Sequence, residues 1–351
     1  MAHRSLVSAG VMSLLAVMFA GCSQSVYREV YPTLSDGHYD SEFPYRGCSR
    51  QLEEISESVN MLSCIAYYRT YFFMPEERVT ADKISADLLE ARARQSVYIN
   101  STASGTLTTL QYEDHRILAL TCAHVVDFQD TIISYHIGMD RRATPFIRSI
   151  AVKEKQSNYA TVYPEGGELE VLALDRQADI AFLGKRLNMD PAVALATFKY
   201  PLGRAKDLEW GSFVYLFGYP SGYKMATKGI VSNPNKDRRG AFMVDAMFSR
   251  GFSGGIVLAI RDGVPNFELV GMIKLVSARS SLVLTPEKDG GDLVFDPTVP
   301  YKGEIYVERR TEVESGITQA VSIESIREFL RSQDSNLRSK GYVVRSVLKG
   351  E

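Results

Sequence analysis

The sequence predicts a mainly β fold, an antiparallel sandwich or barrel, with helical segments before and after it. Two observations predict the β part. After residue 95, short stretches rich in Val, Ile, Thr, Tyr and Phe recur, and Gly, Pro, Asn or Asp separate them. A third observation predicts the helices, because apolar residues are spaced three and four apart on both sides of this region. The β stretches are Ser96–Asn100, Thr106–Tyr112, Ile117–Thr121, Phe213–Gly218, Phe242–Asp245 and Leu269–Val276.

Residues 1–22 predict a lipoprotein signal peptide. A basic start precedes an uncharged run from Leu6 to Gly21, which is shorter than the roughly 20 residues of a membrane-spanning helix. The run ends in Phe-Ala-Gly-Cys, which resembles a bacterial lipobox whose cysteine, Cys22, carries the lipid. The alternative is an ordinary signal peptide with a chance cysteine. We expect a protein anchored by lipid in the bacterial cell envelope, at the periplasmic side of the outer membrane if the source is Gram-negative.

A polar tether and a helical extension are predicted next. Residues 23–47 are rich in Tyr, Ser, Pro and Gly, which is typical of a tether. From Ser49 to about Phe73 apolar residues follow helical spacing, and a second helix is predicted from Thr80 to about Arg94. Residues 48–94 are therefore assigned to a helical N-terminal extension. An aromatic cluster at residues 67–73 is more typical of packing against the next domain than of the alternative, oligomerisation through this extension.

Composition argues against several classes of function. There are 40 Lys and Arg against 42 Asp and Glu, a net charge of -2, and no basic cluster is dense enough to bind nucleic acid. Apart from Cys22, the cysteines are Cys48, Cys64 and Cys122, and no C-x-x-C or paired-histidine motif offers a metal site. An unbroken helix would hold Cys48 about 24 Å from Cys64, too far for a disulfide. We expect no nucleic acid, metal or cofactor.

The strongest local motif is Gly251-Phe252-Ser253-Gly254-Gly255. It also fits the G-x-S-x-G elbow of α/β-hydrolases, in which the catalytic histidine follows the serine in the chain. All five histidines of this chain precede Ser253, so the elbow interpretation is excluded for a triad enzyme. The order His, Asp, Ser remains, as in chymotrypsin-type enzymes.

Two residues complete that order. His124 follows the apolar stretch Ile117–Thr121 and so stands at the end of a strand. Asp179 stands directly before an apolar run, where it can be partly buried and orient the histidine, and Asp175 is its rival. We predict a catalytic triad of His124, Asp179 and Ser253.

At this point the segment resembles the trypsin-like peptidase domain, and most of all its bacterial HtrA/Deg branch. The resemblance covers roughly residues 95–335 and implies two six-stranded antiparallel β-barrels closed by a C-terminal helix, from about Ser322 to Ser332. Residues 336–351 would then be a C-terminal tail with little to bury. The motifs that carry the resemblance are Thr121–Val126, Asp179–Leu183, Val214–Pro220, Thr227–Ser232, Val244–Ala246 and Gly251–Gly255.

The resemblance implies a serine endopeptidase that acts on polypeptides, with the amides of Gly251 and Ser253 as the oxyanion hole. Phe252 stands where this branch usually has Asn, a departure that concerns substrate fit near the nucleophile and removes no catalytic group. Too few residues follow position 335 for a PDZ domain. The alternative is a catalytically inactive trypsin-fold lipoprotein that binds or scaffolds, whereas a purely structural envelope lipoprotein would leave the triad unexplained.

The resemblance also implies a pocket for the substrate side chain before the cut. Its floor would be the residue six positions before the nucleophile, Met247, with Phe248 beside it. A methionine floor offers no carboxylate to a basic side chain, so cleavage after apolar residues is expected. Lys274, on the strand expected to pair with substrate, would favour acidic residues if its side chain entered the pocket.

Overall fold

The computed structural model describes residues 35–139, 142–192, 194–247, 249–274, 278–286, 298, 300, 303–313 and 316–344. The predicted signal peptide, Cys22 and the first part of the predicted tether lie outside the described residues. Within the described part of the chain, no helix is both long and apolar enough to cross a membrane.

The first half of the chain forms a closed antiparallel barrel of six strands. The strands follow the order β1-β2-β3-β7-β6-β5, and pairing of β1 with β5 closes the ring, while β4 adds to the outer edge of β5. The strands are β1 Val59–Phe72, β2 Val97–Glu113, β3 Arg116–Thr121, β4 Thr131–Ile137, β5 Ala143–Tyr159, β6 Glu168–Asp175 and β7 Ile180–Arg186.

The second half forms another closed six-stranded antiparallel barrel, in the order β10-β15-β12-β11-β8-β9. A separate two-stranded hairpin, β13 with β14, stands beside it in the sequence. The strands are β8 Phe213–Gly218, β9 Met225–Asn233, β10 Phe242–Val244, β11 Ile256–Ile260, β12 Phe267–Lys274, β13 Ala278–Pro286, β14 Ile305–Val313 and β15 Thr318–Ser322. The predicted mainly β fold with two barrels is confirmed.

Short helices connect and close the barrels. They are α1 Ser49–Glu57, α2 Ala86–Ala91, α3 Ala123–Val126, α4 Ile323–Ser332 and α5 Asp334–Ser339. The predicted closing helix is confirmed as α4, and Ser322 caps it by accepting a hydrogen bond from the Ser325 amide. Its buried face includes Ile323, Ile326 and Leu330, as their spacing predicts.

The predicted long helix from Ser49 to about Phe73 is wrong beyond Glu57, where α1 ends and β1 begins. Within β1 alternate residues are buried, namely Leu62, Cys64, Ala66, Tyr68 and Thr70. This period of two is typical of a strand. Several of the alternating residues are Cys, Ala and Thr, which are weakly apolar, so the pattern is faint in the sequence. The larger apolar residues happen to follow helical spacing, and the prediction of a helix rested on them. The segment is the first strand of the barrel and no part of a separate helical extension.

The second predicted helix is confirmed only in part. Two short 3-10 turns, at Ala81–Lys83 and Ala93–Gln95, flank the six-residue α2, whose cap is Ser85 rather than Thr80. Leu88 and Leu89 of α2 pack on a small core to which β1 and β5 contribute residues. That core contains Tyr71 and Phe73, so these two aromatic residues of the predicted cluster pack within the protein.

The end of the predicted tether is ordered rather than free. The Asp40 amide donates to the Ile260 carbonyl at 2.9 Å, and the Phe213 amide donates to the Asp40 carbonyl at 2.8 Å. The Tyr39 hydroxyl donates to the Glu268 carboxylate at 2.6 Å. Tyr39 and Asp40 are buried by these contacts, so the chain is attached to the second barrel before it enters the first.

The described part of the C-terminal tail also departs from the prediction. Leu337, Tyr342 and Val344 are buried, and the Lys340 ammonium pairs with Glu170 of the first barrel. Gly184 of β7 provides the space for this contact, because a Cβ there would lie 2.4 Å from the Tyr342 hydroxyl. The described part of the tail therefore packs on the first barrel and buries apolar side chains there.

The three cysteines of the described chain, Cys48, Cys64 and Cys122, are buried free thiols. The expectation that Cys48 and Cys64 are not joined is confirmed, although the unbroken helix from which it was argued does not exist.

Candidate active site

His124 owes its position to a strand and a single helical turn. Strand β3 leads through Cys122 into α3, whose other three side chains, Ala123, Val125 and Val126, are buried. Their burial fixes the turn against the first barrel. The His124 side chain is 35% exposed, and it is the one side chain of α3 that faces outward.

Asp179 lies in the turn between β6 and β7 and is buried. One carboxylate oxygen accepts the His124 backbone amide at 2.9 Å, and the two oxygens lie 3.0 and 2.9 Å from the ring Nδ1. Since a carboxylate accepts, Nδ1 is the donor, and the neutral ring keeps Nε2 as its acceptor. The hydrogen bond from the His124 backbone amide also holds the two residues together without involving the ring.

Asp175 has a different task. Its Oδ1 accepts the amides of Gln177 and Ala178, at 2.8 and 2.9 Å, and so closes the turn that leads to Asp179. The turn places Asp179 at φ +61, a left-handed conformation that Asp adopts more readily than most residues. The structure therefore joins His124 to Asp179, as the sequence predicts, and not to its rival.

Cys122 lies behind this pair. Ligand atoms of Cys122, His124 and Asp179 all lie within 4.8 Å of one another, the spacing of a metal site. The thiol, however, donates to the Ile273 carbonyl at 3.2 Å, and burial, with the nearby Asp179 carboxylate, raises the pKa of Cys122 well above its usual value. Metals bind the thiolate, so this donor set fits a metal poorly.

The loop that carries Ser253 is held by its carbonyl groups. The Arg250 carbonyl accepts the Ser221 amide at 2.7 Å, and the Phe252 carbonyl accepts the Gly255 amide at 3.0 Å. The Ser253 carbonyl accepts the Thr106 amide, from the first barrel, at 2.7 Å. The two barrels thus jointly determine the conformation of the loop.

The amide groups of the loop divide into two sets. Those of Phe252 and Gly254 donate to the carbonyls of Ser249 and Ile273, at 3.1 and 2.9 Å. The amides of Gly251 and Ser253 donate to no group among the residues that the structure describes. These are the two amides that the resemblance assigns to the oxyanion hole. Two unengaged N–H groups on a held loop can donate to an anionic oxygen without first breaking another hydrogen bond.

Gly251 is required by a close approach. Its φ is +95, and a Cβ would lie 2.3 Å from the Tyr219 carbonyl oxygen. Since real Cβ atoms do not come this close to backbone, a larger residue would displace the loop.

Phe252 turns away from the solvent. The residue is 1% exposed, and its ring packs so closely on Gly218 that a Cβ there would lie 2.5 Å from it. The side chain that departs from Asn at this position therefore lies in the core.

Ser253 is brought next to α3 by strand β2. A Cβ on Gly105 would lie 2.8 Å from the Val125 side chain and 3.0 Å from the Ser253 carbonyl oxygen, so only glycine lets the three segments meet. Ser253 is buried, and no direct hydrogen bond joins its side chain to His124 in the described chain.

The predicted substrate pocket is only partly described. Met247 is 76% exposed. Phe248 lies outside the described residues. Lys274 is half-buried and lines a cavity of about 290 Å³ together with Gln177, Gln319 and Ser322. Met247 does not line that cavity, so the joint assignment of Met247, Phe248 and Lys274 stays a prediction.

Sequence reasoning missed the contribution of β2, where Gly105 and Thr106 contact the nucleophile loop. The Ser-Gly-Thr sequence at 104–106 carries a signal, because a glycine inside a strand often marks a close backbone approach.

A comparison with known protein families agrees with this fold. The family model described as "Trypsin-like peptidase domain" matches residues 103–272. The chain contains a trypsin-like peptidase domain. The matched range begins within β2 and ends within β12, so β1 and β15 complete the two barrels of the trypsin-like domain on either side.

Among solved structures, one described as a serine endoprotease from Yersinia pestis aligns at 15% identity and a TM-score of 0.39. The alignment covers 85% of this chain and 69% of the other. No curated protein matches the sequence.

Proposed function

We propose that this trypsin-like domain is an active serine endopeptidase, with Ser253 as nucleophile, His124 as general base and Asp179 as the residue that orients the histidine. The observation that carries the proposal is the pairing of the His124 ring with a buried carboxylate, beside a loop in which the amides of Gly251 and Ser253 have no partner among the described residues. A base, its orienting group and oxyanion donors are the parts that acyl transfer requires.

In the proposed reaction, Nε2 of His124 takes the hydroxyl proton as Ser253 Oγ attacks the carbonyl carbon of the scissile peptide. The amides of Gly251 and Ser253 donate to the oxyanion that develops, and Asp179 stabilises the imidazolium. His124 then returns the proton to the leaving amine, which leaves an acyl group on Ser253. Water, deprotonated by His124, releases the acyl group and regenerates the hydroxyl.

A second function has one observation in its favour. His124 and Ser253 share no hydrogen bond in the described chain, which would suit an inactive trypsin-fold protein that binds or scaffolds. Hydrogen bonds between a catalytic base and its nucleophile are often long in the absence of substrate and shorten when substrate binds. The missing bond therefore weighs less than the pairing of His124 with the Asp179 carboxylate.

The test is hydrolysis of an unfolded protein by the full chain, compared with Ser253→Ala and with Ser232→Ala, an exposed serine on β9. The proposal expects cleavage by the wild type and by Ser232→Ala, and none by Ser253→Ala. Equal cleavage by all three would reject Ser253, and cleavage by none would favour the binding or scaffolding function.

The cellular role is proposed from the sequence motifs. The lipobox at Cys22 and the HtrA/Deg-like motifs support a lipid-anchored peptidase of the cell envelope that processes polypeptides or controls their quality. Replacement Cys22→Ser should release the protein from membranes or block its maturation. A mature N-terminus without any acyl group, found by mass spectrometry, would reject the anchor.

A further inference from the structure

Thr106 lies in β2 of the first barrel, yet three of its hydrogen bonds are with segments of the second half of the chain. It is fully buried. Its amide donates to the Ser253 carbonyl at 2.7 Å, and its own carbonyl accepts the Thr121 hydroxyl at 2.7 Å. These contacts use the backbone of residue 106, so another side chain at this position would leave them in place. They explain where the strand lies but do not explain why residue 106 is a threonine.

The hydroxyl of Thr106 makes two further bonds. Its Oγ1 donates to the Gly251 carbonyl at 2.8 Å and accepts the Tyr219 amide at 2.9 Å. Tyr219 is the residue whose carbonyl closely approaches Gly251. One hydroxyl therefore joins the two segments that define the position of Gly251.

The bond to the Gly251 carbonyl orients a peptide plane. The Gly251 carbonyl and the Phe252 amide belong to one planar group. The carbonyl is held by Thr106, and the amide by the Ser249 carbonyl at 3.1 Å. With both ends held, this plane cannot rotate freely about its bonds to the Cα atoms of Gly251 and Phe252. The directions of the two free amides, on either side of the plane, are restricted as a result.

Among the four successive carbonyls from Arg250 to Ser253, three accept a backbone amide and only Gly251 accepts a side chain. A substitution of Thr106 can therefore remove the bond to the Gly251 carbonyl, together with the bond from the Tyr219 amide, and leave the bonds of the other three carbonyls in place. We propose that Thr106 is a positioning residue for the oxyanion hole and that it acts through the hydrogen bond from its hydroxyl to the Gly251 carbonyl. This inference rests on the proposed peptidase function.

The same strand contains a matched control. Thr108, two residues further along β2, is also fully buried, but its hydroxyl has no partner in the described chain. Thr106→Val and Thr108→Val thus remove the same group from the same strand. Only the first removes a bond to the loop, and loss of an unpartnered buried hydroxyl is close to neutral.

The test measures kcat and KM of the full chain on p-nitrophenyl butyrate, with the melting temperature as a record of folding. Removal of an oxyanion donor itself lowers kcat about 10²–10³-fold. Thr106→Val keeps both donors and frees only their support, so a fall of about tenfold is expected, with KM unchanged. Thr106→Ser, which keeps the hydroxyl, should restore kcat to within about twofold of wild type, and Thr108→Val should match the wild type.

Equal kcat in Thr106→Val and wild type would overturn the inference, as would an equal loss in Thr108→Val. If Thr106→Val does not fold, the pair Thr106→Ser and Thr106→Ala isolates the hydroxyl, and equal kcat in that pair would overturn it too. A wild type that hydrolyses no ester and takes no serine-directed label would contradict the proposed function itself, and this inference with it.

Discussion

Replacement of Gly251 by alanine tests how the oxyanion hole is built. At φ +95 an alanine costs about 1–2 kcal/mol in backbone strain. The new Cβ would also lie 2.3 Å from the Tyr219 carbonyl oxygen, which belongs to the backbone and cannot turn aside like a flexible side chain. The Tyr219 amide is bonded to Thr106, so a shift of Tyr219 would also disturb the support of the loop.

We therefore expect Gly251→Ala to lower kcat on p-nitrophenyl butyrate by about 10²–10³-fold, the effect of losing one oxyanion donor. KM should change little, because the loss falls on the transition state. Gly222→Ala is the matched control, since Gly222 has φ +83 but open space around its missing side chain. It should lose about the same 1–2 kcal/mol of stability in thermal unfolding and keep kcat within about twofold. A folded Gly251→Ala protein with wild-type kcat would refute the reasoning.

Three further predictions follow from other parts of the structure. Asp179→Asn should lower kcat about 10⁴-fold, because the new amide Oδ1 can still accept the His124 backbone N–H while the NH₂ group faces Nδ1 and imposes the wrong tautomer. Asp175→Asn, in the turn, should keep kcat near the wild-type value. A larger loss of kcat in Asp175→Asn than in Asp179→Asn would contradict the assignment. Burial raises the pKa of Asp40 to about 6, so the folded state holds a proton that the unfolded state releases, and the free energy of unfolding should fall as pH rises from about 4 to 6. Asp40→Asn should match the wild type in urea unfolding at pH 4 and exceed it at pH 7, and equal stability at both would contradict the buried carboxyl. Cleavage of a peptide library should fall mainly after Val, Leu, Ile or Ala, and cleavage mainly after Lys or Arg would show that Met247 is not the pocket floor.

The local parts of this molecule could be predicted from the sequence. Chain order alone excluded the hydrolase elbow, and an apolar run on one side of His124 and of Asp179 placed each of them at a strand end. The spacing of Ile323, Ile326 and Leu330 predicted the closing helix. Each of these signals depends on neighbours within a few residues.

The features that the sequence did not predict depend on distant contacts. Strand β1 is stabilised by pairing with β2 and β5, and pairing of this kind overrides the helical spacing of its larger apolar residues. Tyr39 and Asp40 look like part of a polar tether until Glu268 and Ile260 supply their partners. The hydrogen bonds that hold the nucleophile loop come from Thr106 and Ser221, and no spacing near Ser253 indicates them.

The central claim is that Ser253 is a nucleophile activated by His124, and chemical labelling tests it most directly. The full chain is treated with a fluorophosphonate at neutral pH, and the adduct is located by mass spectrometry in wild type, Ser253→Ala and His124→Ala. The account predicts one adduct, on Ser253, that is absent from Ser253→Ala and forms orders of magnitude more slowly in His124→Ala. A folded wild type with no adduct, an adduct on another serine, or equal labelling without His124 would contradict it.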